Sequence, residues 1–292
     1  MSSTYLITQA TGGQSGWVIT HLLAAGAKVH AMVRNLNKEL PAVLREPGVT
    51  LFEGDSTNSD AIYQAAQGCQ GVFLNTVPYP PGLEVQQAKT VLAAARKAGV
   101  ATVVSSSTIG TDEAALRASD AVRDCGLAGY YASKHEAEEL VRAAGFEAYT
   151  IVRPAVIHYD LCTARHLENT PGSAATYVAA ALLAGPTGKF ANQEIDMCHE
   201  LFDFDEVAAL LNKVAGKKDV KAVKRTVEEL KAMDAFVFGE AFHLLANAYD
   251  FSSHGGAAAA GVQAKFGIPF TSLEAALTRD KASLLETLTN VN

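Results

Sequence analysis

Short apolar segments alternate with amphipathic segments through the first half of this 292-residue chain. The apolar segments have the length of strands, and the amphipathic ones carry apolar residues at helical spacing before a glycine such as Gly26 or Gly99. Strands that alternate with helices over short connections predict a parallel sheet with helices on both faces. Right-handed crossovers make a doubly wound α/β sheet the expected topology.

The predicted elements divide the chain into two parts of different character. Residues 1–155 contain six predicted strands, which begin near residue 5 and then cover 28–33, 49–53, 71–77, 101–105 and 148–152. Predicted helices lie between them at 17–25, 58–68, 83–98 and 130–144, with a short helix over 112–121. Residues 156–292 predict a smaller, mostly helical lobe that packs closely on the first part and is not an independent domain. Its predicted elements are helices at 174–184, 204–214 and 233–249, a strand at 195–198, and helices begun by capping boxes at 226–229 and 271–274.

The connection between the first strand and the first helix has the composition of a phosphate site. Glycines let the backbone turn sharply, and a helix N-terminus offers unpaired N–H groups and a partial positive charge to an anion. The glycine fingerprint of Rossmann-type dinucleotide-binding folds is built in this way. Gln9 stands where the first glycine of the fingerprint is expected, and Ser15 stands where the third is expected. The predicted cofactor-binding residues of this turn are Thr11, Gly12, Gly13, Gln14, Ser15 and Gly16.

Three further residues near predicted strand ends are candidates for contacts to a dinucleotide. Arg34 follows the second strand, where an arginine suits the 2′-phosphate of NADP; the alternative is a solvated surface arginine. Asp55 follows the third strand and either accepts a hydrogen bond from an adenine amino group or holds a turn. Thr76, late in the fourth strand, is the third candidate. Together with the glycine-rich turn, these residues predict NADP(H) as the cofactor.

Tyr130 and Lys134 form the predicted catalytic pair. They lie one helical turn apart at the start of a predicted helix and therefore share a helix face. A lysine ammonium beside a phenol stabilises the phenolate and lowers its pKa, which makes the tyrosine a proton donor and acceptor near neutral pH. The same lysine can hold ribose hydroxyls of a bound cofactor. Tyr131 points elsewhere on the helix and is expected to pack.

Other polar residues are assigned to the substrate side of the same crevice. Ser107 belongs to the run of hydroxyl residues 105–108 that closes the fifth strand, and it is expected to orient a substrate carbonyl; the alternative is hydrogen bonding within the turn. His158 and Tyr159 are expected to line the substrate pocket. The histidines lack metal-ligand spacing and the sequence has no G-x-S-x-G elbow, so neither a metal site nor an α/β serine hydrolase is expected.

Charge, cysteines and hydropathy limit the function classes further. A net charge of −7 disfavours a nucleic-acid surface. The four cysteines form no C-x-x-C unit, which favours reduced thiols over disulfides or structural zinc. The sequence shows no signal-peptide pattern and no apolar run of membrane-spanning length. A cytoplasmic protein without a membrane partner is therefore expected.

Segments spread in order along essentially the whole chain share a pattern with a known family. They are Thr8-Gln-Ala-Thr-Gly-Gly-Gln-Ser-Gly-Trp-Val18, Val33-Arg34-Asn35, Glu53-Gly-Asp55, Tyr149-Thr-Ile-Val-Arg-Pro154, Phe202-Asp-Phe-Asp-Glu-Val-Ala208, Asn247-Ala-Tyr-Asp-Phe-Ser252 and Phe266-Gly-Ile-Pro-Phe-Thr-Ser-Leu-Glu274. In this order they resemble the NmrA-like branch of the atypical short-chain dehydrogenase/reductase superfamily. The resemblance implies either an NADPH-dependent reductase or a regulator that binds the dinucleotide without turnover and acts through a protein partner. Regulators of this family often lack the Tyr-x-x-x-Lys pair, which this chain keeps.

The expected function is an NADPH-dependent reductase acting on a carbonyl, quinone or conjugated alkene of a small, mostly apolar molecule, with the pocket built by residues 156–292. Tyr130 supplies the proton, Lys134 lowers the pKa of Tyr130, and Ser107 orients the reacting oxygen. Two alternatives stay open: an NADP(H)-binding redox sensor, and a non-redox dehydratase or isomerase in which Gln9 loosens or blocks cofactor binding. A small-molecule substrate is the expected partner, and a homodimer or a regulatory protein partner is left open.

Overall fold

A seven-stranded parallel sheet forms the centre of the computed structural model, which describes residues 2–155, 174–223, 229 and 237–290. The strands are β1 (Thr4–Ile7), β2 (Lys28–Val33), β3 (Val49–Glu53), β4 (Gly71–Leu74), β5 (Thr102–Ser106), β6 (Ala148–Pro154) and β7 (Gln193–Met197). Their order is β3-β2-β1-β4-β5-β6-β7, and each neighbouring pair is parallel. The winding reverses between β1 and β4, which confirms the predicted Rossmann-type doubly wound sheet.

Helices cover both faces of this sheet. They are α1 (Gly13–Ala24), α2 (Ser59–Ala66), α3 (Leu83–Lys97), α4 (Ala114–Arg117), α5 (Asp120–Asp124), α6 (Ala128–Ala143), α7 (Ala174–Ala184), α8 (Phe204–Ala215), α9 (Val237–Ala248), α10 (Ala257–Phe266), α11 (Leu273–Arg279) and α12 (Lys281–Asn290). Helices α1 and α7 pack on one face, and α2, α3 and α6 pack on the other. Single-turn 3₁₀ helices cover Ala42–Arg45 and Ser252–His254.

The central strands are buried on both faces because their side chains point alternately into two apolar cores. In β1, Ile7 packs in the core beneath α1 and α7, whereas Leu6 packs in the core beneath α2, α3 and α6. All four residues of β4 are buried. This burial explains why central strands such as β4 are continuous apolar runs, whereas the edge strand β7 carries Glu194 and Asp196.

Two predicted boundaries in the first part need correction. Helix α1 begins at Gly13, four residues earlier than predicted, because the second half of the glycine-rich turn is already helical. The predicted fourth strand ends at Leu74, because the next residue, Asn75, makes its backbone hydrogen bonds with the side chain of Thr8.

The helix predicted over 112–121 also differs. It is two short helices, α4 and α5, and Ser119 caps the second of them.

The described C-terminal elements extend the sheet and then form a small helical cluster. β7 pairs with β6, so the sheet continues past residue 155, where the sequence placed a boundary; the two-part division stays a prediction. Helices α8, α11 and α12 share an apolar cluster, and α9 packs on α4, α5 and α6. The helix predicted from a capping box at 271–274 is present and begins at Leu273, but Ser272 is its N-cap and accepts the N–H of Ala275, so the predicted box from Thr271 to Glu274 is not formed. The 226–229 box lies outside the described residues apart from Glu229. None of the helices in the described ranges combines the length and apolar character that crossing a membrane requires.

Candidate active site

The turn after β1 is held by a network of buried hydroxyl and amide groups. Ser15 is fully buried, and its hydroxyl donates to the carbonyl of Thr8 (2.9 Å) and accepts from the side-chain amide of Asn75 (3.1 Å). The backbone N–H of Asn75 donates in turn to the hydroxyl of Thr8 (2.8 Å). Ser15 therefore fits the third fingerprint position, because two hydrogen bonds satisfy the hydroxyl that a glycine would lack.

Gln9 adopts the backbone conformation that a glycine provides most easily. Its φ is +49°, in the left-handed region where a side chain costs about 1 kcal/mol relative to glycine. The carbonyl of Gln9 accepts the N–H of Gly12 (2.8 Å), and a Cβ on Gly12 would lie only 3.2 Å from that carbonyl oxygen. The turn is therefore formed with glutamine at the first fingerprint position, at a conformational cost.

The first turn of α1 offers donors that suit an anion. The first N–H groups of a helix have no intrahelical acceptor, and Gly12 at the N-cap has no side chain to accept from them. The side-chain nitrogen of Gln14 is buried and has no hydrogen-bond partner among the described residues. Buried donors are normally paired, and a phosphate group at this helix N-terminus would provide the missing acceptor. The donor set therefore fits the pyrophosphate of a dinucleotide.

Arg34 and Asp55 lie just beyond β2 and β3, at the carboxyl edge of the sheet. Arg34 is exposed and forms no ion pair with any residue in the described part of the chain, so its charge is available to an anion. Asp55 accepts two hydrogen bonds through Oδ1, from the N–H (2.9 Å) and the hydroxyl (2.8 Å) of Thr57. The turn role considered for Asp55 is therefore present, and its contact to adenine stays a prediction.

A fully buried carboxylate, absent from the sequence-based candidates, lies beside the predicted catalytic lysine. Glu84, in the first turn of α3, is 0% exposed, and its Oε1 lies 2.7 Å from Nζ of Lys134. The hydroxyls of Thr76 and Ser133 donate to its Oε1 (2.6 Å) and Oε2 (2.7 Å). Thr76 is thus joined to the lysine through Glu84, and its own contact to the cofactor stays a prediction.

Lys134 and Tyr130 lie on one face of α6, as predicted. Nζ of Lys134 is 5.7 Å from the centre of the Tyr130 ring, within the range of a cation–π interaction. Burial lowers the pKa of Lys134, but the attraction of Tyr130 and Glu84 outweighs it, so the pKa lies above its ordinary value. Lys134 is therefore an ammonium at neutral pH. The Tyr130 ring also packs edge-on against Phe242 of α9, with 5.0 Å between ring centres.

The structure describes some of the remaining candidates on the substrate side and not others. Ser107 is buried just after β5, and its hydroxyl lies 3.5 Å from that of Thr111. The hydrogen bond within the turn that was considered for Ser107 is therefore present, but it is long. Tyr131 is buried in an apolar cluster, and its predicted packing role is confirmed. His158 and Tyr159 lie outside the described residues.

A second buried ion pair lies one turn farther along α6. Arg153 at the end of β6 binds Glu138 with two hydrogen bonds, Nε to Oε1 (2.9 Å) and Nη2 to Oε2 (2.7 Å). Both side chains are almost fully buried. Three more carboxylates surround the guanidinium, those of Asp112, Glu194 and Asp196. Burial lowers the pKa of Arg153, but these acids raise it more, so the guanidinium is firmly charged.

Residues 10–183 match the family model described as NAD(P)H-binding, which covers more than half of the chain. The chain belongs to this NAD(P)H-binding family. The matched region includes most of the glycine-rich turn, Arg34, Glu84 and the Tyr130–Lys134 pair. Family membership therefore confirms the predicted class of cofactor.

Three solved structures share the fold of this NAD(P)H-binding protein over nearly its whole length. The Citrobacter sp. triphenylmethane reductase complexed with NADP(H) is 23% identical, with a TM-score of 0.69 and coverage of 94% of this chain and 99% of that one. The Escherichia coli NADPH-dependent quinone oxidoreductase complexed with NADPH is 22% identical, with a TM-score of 0.67 and the same coverage. NmrA, described as a negative transcriptional regulator, is 19% identical, with a TM-score of 0.68 and coverage of 100% and 99%. These likenesses confirm the predicted NmrA-like resemblance at the level of the fold.

Two curated relatives match shorter stretches of this NAD(P)H-binding protein. An oxidoreductase of Pestalotiopsis microspora is 32% identical over 100 residues, which is 32% of this chain and 38% of that protein. A Synechocystis sp. protein provisionally named dihydroflavonol 4-reductase is 29% identical over 118 residues, which is 37% of this chain and 34% of that protein. The alignments thus span little more than a third of each relative's length.

Proposed function

We propose that this chain is an NADPH-dependent reductase that acts on a carbonyl, quinone or conjugated alkene of a small, mostly apolar molecule. The observation that carries the proposal is the buried ammonium of Lys134 beside Tyr130, in a fold whose first turn suits a dinucleotide. The NADPH-bound quinone oxidoreductase and the NADP(H)-bound triphenylmethane reductase share this fold, which supports the same class of reaction and cofactor.

When bound, NADPH supplies the hydride, and the residues of the chain bind, orient and protonate. The first turn of α1 and the side chain of Gln14 hold the pyrophosphate, and Arg34 holds the 2′-phosphate. Ser107 orients the substrate oxygen. Tyr130 donates a proton to that oxygen, and the fixed charge of Lys134 stabilises the phenolate that is left.

Tyr130→Phe tests the proton donor. NADPH oxidation is measured with a panel of quinones, aldehydes and conjugated enones, first for the wild type and then for the variant. We expect kcat to fall by about 100-fold or more, because general acid catalysis contributes at least that much, with the Kd of NADPH almost unchanged. Tyr131→Phe is the matched control, since it removes the neighbouring hydroxyl from a packing residue. Equal kcat values for wild type and Tyr130→Phe would exclude Tyr130 as the acid.

Arg34→Ala tests the choice between NADPH and NADH. Loss of a charge-assisted contact to the 2′-phosphate weakens NADPH binding by about 10- to 100-fold and leaves NADH binding unchanged. Calorimetric titration with both cofactors provides the measurement. Arg45→Ala, at another exposed arginine nearby in sequence, is the control. An equal loss of affinity for NADH would show that Arg34 does not bind the 2′-phosphate.

A second candidate function, a dinucleotide-responsive regulator without turnover, is favoured by the glycine fingerprint. The chain lacks glycine at Gln9 and Ser15, which are six positions apart. A solved variant of NmrA carries two glycine substitutions that are also six positions apart, and NmrA is described as a negative transcriptional regulator. NADP(H) binding without turnover, together with a protein partner retained only in one cofactor state, would support this function over the reductase.

A further inference from the structure

Glu84 is the most completely buried acidic side chain near the proposed catalytic pair. Glutamate is rarely buried completely unless it is paired, and here three donors reach it from two other elements. Lys134 and Ser133 approach from α6, and Thr76 approaches from the segment after β4. Both carboxylate oxygens therefore have partners, and the position of the carboxylate is fixed from two sides.

The ammonium of Lys134 is correspondingly fixed. It is buried, it lies 2.7 Å from the carboxylate of Glu84, and it faces the ring of Tyr130. Of the three N–H groups of the ammonium, one is directed to Glu84. The negative charge also offsets much of the positive charge of the lysine, because the two groups form a compact dipole.

We propose that Glu84 is the positioning residue of this site: its carboxylate fixes the ammonium of Lys134 beside Tyr130 and compensates its charge. This inference rests on the proposed reductase function. With an uncompensated lysine, the phenol would ionise too readily to serve as an acid at neutral pH. With the compensated pair, Tyr130 keeps its proton until a substrate oxygen accepts it, and Lys134 remains a localised hydrogen-bond donor.

The test is the ionisation of Tyr130, followed by ultraviolet difference titration. The spectrum of Tyr130→Phe is subtracted from that of the wild type, and the same subtraction is made in the Glu84→Gln background, so that Tyr130 alone is observed. Glu84→Gln keeps the size of the side chain and removes its charge. We expect the titration midpoint of Tyr130 to fall by about one pH unit, as expected when a nearby negative charge is removed.

Glu84→Asp and Glu136→Gln complete the set. Glu84→Asp keeps the charge but withdraws it by one methylene group, so its midpoint is expected to fall by a smaller amount; it also provides the measurement if Glu84→Gln does not fold. Glu136 lies on the same helix in an exposed ion pair with Lys89 (3.1 Å), so Glu136→Gln is expected to leave the midpoint unchanged. Circular dichroism and an NADPH-induced rise in Tm verify that each variant is folded.

The outcomes separate this inference from the proposed function. A midpoint for Glu84→Gln that equals or exceeds that of the wild type overturns the role of Glu84, whatever the turnover. A wild type that oxidises no NADPH with any acceptor overturns the reductase function, whatever the midpoint. If both hold, the alkaline limb of the kcat–pH profile moves to lower pH in Glu84→Gln, which a purely structural role would not produce.

Discussion

Helix α6 carries two buried ion pairs, and they are built differently. Lys134 forms an ion pair with the single carboxylate of Glu84. Arg153 forms two hydrogen bonds with Glu138 and lies close to three further acids. An arginine is always charged, and its planar fork fixes the orientation of its partner; a lysine can titrate, and its donors rotate. The arginine pair is suited to holding strands and helices together, and the lysine pair is suited to a place where a proton moves.

The largest effect on stability is expected from Arg153→Met. Without the guanidinium, Glu138 stays buried and the surrounding acids repel one another, so the free energy of unfolding should fall by about 3–5 kcal/mol. Urea unfolding measures the change. Arg123→Met is the control, because its ion pair with Asp120 is exposed and should contribute at most about 1 kcal/mol. A similar small loss for both variants would contradict the structural role of Arg153.

Lys134→Met should have a smaller effect on stability and a larger effect on turnover. Thr76 and Ser133 still donate to Glu84 in this variant, so we expect unfolding to become easier by about 2–3 kcal/mol. Turnover should fall by about 100-fold or more, because the phenolate of Tyr130 loses its cation. Measurement of kcat alongside urea unfolding tests both statements. An unfolding loss greater than that of Arg153→Met would reverse the proposed division of roles.

Glu194 gives the arginine cluster a dependence on pH. Hydrogen bonds from Arg142 and Arg153 hold the pKa of Glu194 below its ordinary value of 4.5, although partial burial raises it. A carboxyl group with a lowered folded-state pKa stabilises the fold above the unfolded pKa, and this stabilisation is lost as the pH falls through the folded pKa. Glu194→Gln should therefore cost about 1–2 kcal/mol at pH 7. Unfolding measured across the acid range should show the two proteins converging well below pH 4.5; a constant difference would rule out the charge as the cause.

The smallest effect is expected at the glycine-rich turn, where backbone conformation matters more than charge. Gln9→Gly relieves the left-handed strain and should raise the free energy of unfolding by about 0.5–1 kcal/mol. Asn192→Gly is the control, at the second non-glycine residue with positive φ (+54°) among those that the structure describes. The side chain of Asn192 accepts the N–H of Tyr149 (3.3 Å), so its loss offsets the relief. Thermal unfolding is measured for both variants. A higher Tm for Asn192→Gly alone would contradict the proposed strain at Gln9.

Much of the sheet could be predicted because its determinants are local. The strands β2 and β3 occupy the predicted residues, because each is a short segment rich in apolar residues that follows a turn containing glycine. Tyr130 and Lys134 were paired correctly because helical spacing alone brings them to one face. Ser15 stands at a glycine position of the fingerprint, and its complete burial shows that its small side chain fits there.

Glu84 could not be predicted in the same way. An acidic residue in the first turn of an amphipathic helix is usually an exposed group that favours the helix dipole. Its burial arises from the packing of α3 against α6, two elements with another strand and two short helices between them in sequence. The acids around Arg153 likewise come from separate elements, including β7. The left-handed backbone of Gln9 was also hidden, because only the fold determines that residue 9 must turn.

Asn75 and Thr76 are adjacent, and they contact different halves of the site. Asn75 binds Ser15 in the glycine-rich turn, while Thr76 binds Glu84, which contacts Lys134. Two consecutive residues therefore join the N-terminal end of α1 to the buried ion pair of α6. By thermodynamic linkage, the free energy by which cofactor binding stabilises the lysine pair equals the free energy by which an intact lysine pair increases the affinity for the cofactor. A coupling free energy between Ser15 and Glu84, obtained from a double-mutant cycle of NADPH affinities, is the quantity that expresses this reciprocity.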